Sequence, residues 1–197
     1  LEDDRGAKLD CAKTDQENFY AGEDVTIVWP ENAHSQPATG GTGTGVISYT
    51  SSNPDFRVDR NGNVTFDYPG SSRITATKAT DDNYYEASAS YQLTVEKAEQ
   101  WIDFPEITGG KLIKNTSDEE FSVRVVGGIW EGEKKISQGQ QDGVKFTINN
   151  YSHSASPVYI FDSSNRMRTT KIGKTTITAT KAGNEFFEDA EANFELE

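Results

Sequence analysis

RITATKA at residues 73–79 returns as TITATKA at residues 176–182, and the reading of that pair, worked outward, decides the architecture. A constant offset of 103 aligns residues 56–93 with 159–196 without a gap. Eleven of these 38 positions are identical, including Asp59/Asp162, Gly70/Gly173, Ala87/Ala190 and Leu93/Leu196, and Tyr91/Phe194 keeps its type. A period of that length, well beyond the roughly 20–50 residues of solenoid repeats, lets each copy enclose its own core. Two domains follow, expected at residues 1–98 and 99–197, each of ordinary domain size.

Hydropathy alternates with a period of two around the motif. Ile74 and Ala76 point inward on one run, and Ala89, Tyr91, Leu93 and Val95 on the next. Upstream, residues 24–29 place Val25, Ile27 and Trp29 on one face and stop at Pro30, which has no N–H to give a ladder; this run is read as strand B. Residues 31–45, with the cluster Gly40-Gly-Thr-Gly-Thr-Gly45, read as a mobile connection. Ile47 and Tyr49 mark strand C, and Phe56 and Val58 lead to Asn61-Gly62, a strong hairpin signal because both residues tolerate positive φ. Val64 and Phe66 mark the return. The second copy repeats the order with Ile102 and Phe104 as strand A, then Phe121, Val123 and Val125, then Val144, Phe146 and Ile148, then Tyr159 and Phe161. Residues 127–142 form a longer connection that carries Trp130. Short strands, frequent turn signals and no helical period predict an all-β Greek-key sandwich, twice.

Only 34% of residues are hydrophobic, but 11% are aromatic, so the apolar material is concentrated in short runs rather than absent. The net charge of −13 repels phosphate backbones and anionic headgroups, which argues against nucleic acid as a partner. Cys11 is the single cysteine, so no disulfide forms within the chain, and no stretch reaches the length of a membrane-spanning helix. Leu1-Glu2-Asp3-Asp4 lacks the features of a secretory signal, and the chain reads as cut from a longer precursor.

Between the copies, the last strand of the first runs to about Ala98 and the next starts near Gln100, leaving no glycine or proline and little slack. A short, stiff linker is expected. Trp101, on the face opposite Ile102 and Phe104, is read as packing across that junction.

With these strands in place, YTSSNP (49–54), VDRNGNVTF (58–66), ITATKA (74–79) and DDNYYEASASYQLTVEKAEQ (81–100) resemble the tandem bacterial immunoglobulin-like (Big-type) repeats of intimin/invasin-type adhesins and related exported proteins. The resemblance implies two immunoglobulin-like sandwiches working without catalysis at the bacterial outer surface or in secreted form. In the second copy the TSSNP turn gives way to a longer segment at 149–157.

Chemistry finds little purchase in the residues themselves. His34 and His153 sit in polar segments of different copies and are read as solvated loop histidines, so no triad assembles. Gly173-Lys174-Thr175 precedes a strand and lacks the upstream glycine of a phosphate loop. With one cysteine and two scattered histidines, zinc is not expected. Calcium has hard oxygen donors at Asp81-Asp82-Asn83 and around the junction at Glu96, Glu99, Asp103 and Glu106, where a solvated acidic face is the simpler reading. Recognition remains: Trp130, between glycines and followed by Lys134 and Lys135, is the expected contact tip. The partner is a protein, either a host receptor or an outer-membrane protein of the same bacterium, or a glycan. A passive stalk is the structural alternative.

Overall fold

The repeated motif forms the inner strand of a sheet in each half of the chain, paired the same way on both sides. The computed structural model describes residues 12–116, 120–149, 156–161 and 166–197. Cys11, His153 and Asp162 lie outside the described residues. The chain divides into two units, Leu1–Glu96 and Lys97–Glu197.

The first unit contains β1 (Val25–Val28), β2 (Ala33–Ser35), β3 (Ile47–Ser51), β4 (Phe56–Val58), β5 (Asn63–Phe66), β6 (Gly70–Lys78) and β7 (Ala87–Glu96). One sheet runs β1-β7-β6-β3 and the other β2-β5-β4. Each strand turns alternate side chains inward, because successive residues of a strand face opposite ways. Phe56, Val64 and Phe66 from one sheet meet Ile74, Ala76, Tyr91, Leu93 and Val95 from the other, and all are buried. Phe56 and Phe66 stack with ring centroids 5.1 Å apart. This is an immunoglobulin-like sandwich.

The second unit has β8 (Gln100–Asp103), a 3-10 turn (Thr108–Gly110), β9 (Lys111–Leu112), β10 (Val126–Glu131), β11 (Lys134–Gln140), β12 (Lys145–Asn149), β13 (Val158–Phe161), β14 (Arg166–Thr169), β15 (Thr175–Lys181) and β16 (Ala190–Leu196). Its sheets are β12-β15-β16-β9, β13-β14 and β11-β10-β8. Phe104 meets Phe194 edge-on at 5.0 Å within its core. The 103-residue offset read from the sequence holds in the ladders: Ile74 pairs with Tyr91 and Ile177 with Phe194, and Ala76 with Ala89 and Ala179 with Ala192. Tyr84 and Phe187, also 103 apart, each make an isolated parallel bridge, to Thr14 and to Ala98, whose own separation is 84.

Three expectations require correction. The strand read as B at 24–29 is β1, which runs parallel to the last strand of its unit (Val25 beside Leu93), as β9 does to β16 (Leu112 beside Leu196). Alternation reveals which face a strand buries and says nothing of its neighbour. The place of strand B is taken by β2, three residues long, inside the stretch read as a mobile connection. That stretch is also pinned: Lys78 Nζ donates to the Gly40 and Gly41 carbonyls at 3.3 and 2.9 Å, and Thr44 N–H donates to Asp81. In the second unit the run 121–125 makes one bridge, Phe121 to Met167, and the regular ladder starts only at Val126.

Two smaller differences concern turns and histidine. At Asn61-Gly62 only Gly62 has positive φ (82°), and Asp59 closes the turn by accepting from the Asn61 and Asn63 N–H groups at 2.8 and 2.9 Å. Those bonds, with one from the Asn63 side chain, hold the Asp59 carboxyl below the usual carboxylate range. His34 lies half-buried on β2 with its ring 6.1 Å from that of Tyr91, rather than free in a loop.

Candidate functional site

The two units differ most where residues 127–142 were read as a loop. Equivalent positions are 87 residues apart at His34/Phe121, which bridge Val64 and Met167, but 97 apart at Tyr49/Phe146, which pair with Ala76 and Ala179. The second unit therefore holds ten extra residues between these points, and they build the β10–β11 hairpin. Its closing loop is Gly132-Glu133, with Gly132 at φ 58°, the first central position that a type II′ turn reserves for glycine.

Gly127 and Gly128 serve strand packing instead of looping. A Cβ on Gly128 would stand 1.9 Å from the Ile136 carbonyl oxygen, and one on Gly127 2.3 Å from that of Trp101. The register also shifts by a bulge between Val126 and Gly128. Gly128 lies in one cross-strand row with Trp101 and Ser137, and Trp130 faces Lys135 in another. Because residues two apart share a face, Trp101, Trp130, Lys135 and Ser137 all project from the same side of the sheet.

Three of the four residues singled out from the sequence thus converge. Lys135 Nζ lies 4.9 Å from the Trp101 ring centroid and 5.1 Å from that of Trp130, so one ammonium is held between two indoles. Trp101 is fixed further by its Nε1–H, which donates to the Ile129 carbonyl at 3.2 Å. Both indoles are half-buried and Lys135 is exposed. Lys134 stands apart, on the alternate face and opposite Glu131 next to the turn. The sequence marked Trp130 and the lysines as one cluster, but the meeting of Trp101 with them depends on a strand register that spacing does not disclose.

Two of the acidic groups weighed for calcium, Asp81 and Asp103, are engaged locally. Asp81 accepts from the N–H groups of Asn83, Tyr84 and Thr44, which holds its carboxyl at about 2. Asp103 accepts from the Phe104 N–H. Among the described residues no three His, Cys, Asp or Glu side chains gather as a metal site. No helix among them is long and apolar enough to cross a membrane. A groove of about 620 Å³ in the second unit is bordered by Lys114, Lys171, Ile172, Lys174 and Glu197. Lys174 in it is ion-paired to Glu197.

No protein-family model matches the sequence, and no curated protein does. Solved structures align with it at low identity. The SusE-like surface-located polysaccharide-binding protein BT4661 of the Bacteroides thetaiotaomicron heparin utilisation locus is 11% identical, with a TM-score of 0.31, over 92% of this chain and 33% of its own. The chain thus spans about a third of that protein's length. Human protocadherin-24 EC1-2 is 13% identical at a TM-score of 0.32, over 88% of this chain and 92% of that one. The titin domains z1z2, solved in complex with telethonin, are 12% identical at 0.42, over 94% and 96%.

Proposed function

We propose that the chain is a non-catalytic adhesion and interaction module of an exported bacterial protein of the Big-type repeat class, at the outer surface or secreted, and that the β10–β11 hairpin is its contact element. The observation that carries this reading is the insertion itself. The larger of the length differences between the copies, ten residues against six at 149–157, lies in the segment that carries Trp130, Lys134 and Lys135. A scaffold held constant while one tip is elaborated is how binding surfaces are added to sandwiches. Tryptophan is among the residues that dominate interface energies, and Lys135 sets a positive charge beside it on a chain of net charge −13.

The partner is a surface protein of a host or of the bacterium's own outer membrane, or a surface glycan. The test is adhesion of the fluorescently labelled chain to host cells and to isolated outer membranes, compared with the Trp130→Ala and Lys134→Glu/Lys135→Glu variants. Retention that falls at least about tenfold in the variants supports the hairpin as the contact, the scale expected when an anchor residue is removed. Equal retention of all forms, or none, leaves the chain as a passive spacer.

A further inference from the structure

We propose that the face carrying Trp101, Trp130 and Lys135 binds an acidic carbohydrate, a pyranose whose carboxylate sits on the Lys135 ammonium while its ring lies against an indole. The proposal deepens the function proposed above and rests on it.

Lys135 is the starting point. Three other cations of the second unit have carboxylate partners: Lys111 and Lys174 pair with Glu195 and Glu197, and Arg166 with Glu120. Among the described residues no carboxylate lies within ion-pairing distance of Lys135, although the chain holds 32 Asp and Glu. Its nitrogen is placed by two rings at 4.9 and 5.1 Å. An ammonium so held has given up much of its rotamer freedom before a ligand arrives, which removes part of the ordering cost of binding. It keeps its capacity to donate three hydrogen bonds, since the rings accept none of the ordinary kind.

The surroundings define the ligand's body. Gly128, between Trp101 and Ser137 in its row, is buried and carries no side chain that would stand between them. The Trp101 ring is tied to the Ile129 carbonyl, and the Ser137 hydroxyl accepts from the Gly139 N–H at 3.3 Å. The available walls are indole surfaces, which suit a ring with an apolar face and a polar rim. A single lysine in a field of net charge −13 matches a ligand with isolated carboxylates on a neutral body. It does not match a dense polyanion such as nucleic acid, which would need many cations.

The experiment titrates the full chain with an oligogalacturonate and with a neutral galactan oligomer of equal length, followed by calorimetry and tryptophan fluorescence. Trp29, the remaining tryptophan, lies in the first unit and contributes a constant background. The expected result is saturable binding of the acidic oligomer, with the neutral one weaker by at least about tenfold. Lys135→Met and Trp130→Ala should each weaken it by a similar factor, Lys135→Arg should retain it, and Lys145→Ala, a lysine removed elsewhere in the unit, should leave it unchanged. Thermal melts of each variant separate lost binding from lost folding. No saturation at roughly millimolar ligand, equal binding of the neutral oligomer, or indifference to Lys135→Met overturns the proposal. Binding of an aspartate-rich peptide in place of the sugar overturns it as well. If sugar binding fails while adhesion still depends on Trp130, the carbohydrate is wrong and the contact role of the hairpin stands. If both fail, the contact role falls too.

Discussion

Tyr91 and Phe194 fill the same position in the two units, each paired with the isoleucine of the repeated motif, and they differ by one hydroxyl. The Tyr91 oxygen is buried and, among the described residues, has no hydrogen-bond partner. Burial, with a lesser contribution from Tyr49, raises its pKa, which marks the same unfavourable surroundings for a polar group. The second unit therefore supplies the control. Tyr91→Phe should leave stability unchanged or raise it by up to about 1 kcal/mol, since an unpaired buried hydroxyl costs more than it returns. Urea unfolding measures this, and a loss greater than about 1 kcal/mol would mean that the hydroxyl has a partner in solution.

Lys78 and Lys181 close the repeated motif and share a task. Lys78 reaches the Gly40 and Gly41 carbonyls, and Lys181 donates to Gln141 just beyond the inserted hairpin. Each ties the variable connection of its unit to the constant sheet. Lys78→Met keeps the aliphatic stem but removes the donor, and should cost about 1.5–3 kcal/mol, the range for hydrogen bonds from a charged group. Amide exchange at Gly41 and Gly43 should quicken while that of Ile74 and Tyr91 keeps pace only with the global change. Unaltered exchange in the loop would show that its other bonds, Gly41 N–H to Glu17 and Gly43 N–H to Gln16, suffice.

Asp81 makes the first unit sensitive to acid. Backbone N–H groups of Asn83 and Thr44 lower its pKa from 3.8 to about 2. A carboxylate with a depressed folded pKa contributes stability that is complete above the unfolded value and is lost as pH falls through the folded one. Stability should therefore decline between about pH 4 and pH 2, and Asp81→Asn should flatten that decline while lowering stability at neutral pH. Melting curves across this range decide the matter, and an unchanged slope in the variant would assign the acid sensitivity to other carboxylates.

Much of the fold was legible because the chain states it twice. Ile74/Ile177, Tyr91/Phe194 and Leu93/Leu196 share spacing and burial, and a core pattern repeated at one offset leaves few topologies open. What stayed hidden depends on who sits beside whom. The valines of β1 fit an antiparallel or a parallel neighbour equally well, and β2, only Ala-His-Ser, is too short and polar to register as a strand. The hairpin was masked by its glycines, which favour turns but also allow two backbones to approach closely. Trp101 was placed on the correct face from its neighbours Ile102 and Phe104. Its meeting with Lys135, 34 residues on, needed the ladder from β8 through β10 to β11.

That ladder supplies a final prediction, because the hairpin is built onto the second core without belonging to it. Ile102, Phe104, Val125, Val144, Phe146 and Phe194 are buried together in that core, and no buried member comes from residues 127–140. Gly128→Ala would drive a Cβ to 1.9 Å from the Ile136 carbonyl oxygen and 3.0 Å from the Gln138 nitrogen, both backbone atoms that cannot swing aside. The β10–β11 pairing should open and separate the Lys135 ammonium from its two indoles, while β12, β15 and β16 keep their ladder. The expected signature is a changed tryptophan fluorescence and near-ultraviolet dichroism, a far-ultraviolet spectrum still of strand type, and a melting temperature lower by on the order of 5 °C or less. A collapse of the whole second unit instead would show that the inserted strands hold up its core as well as decorate it.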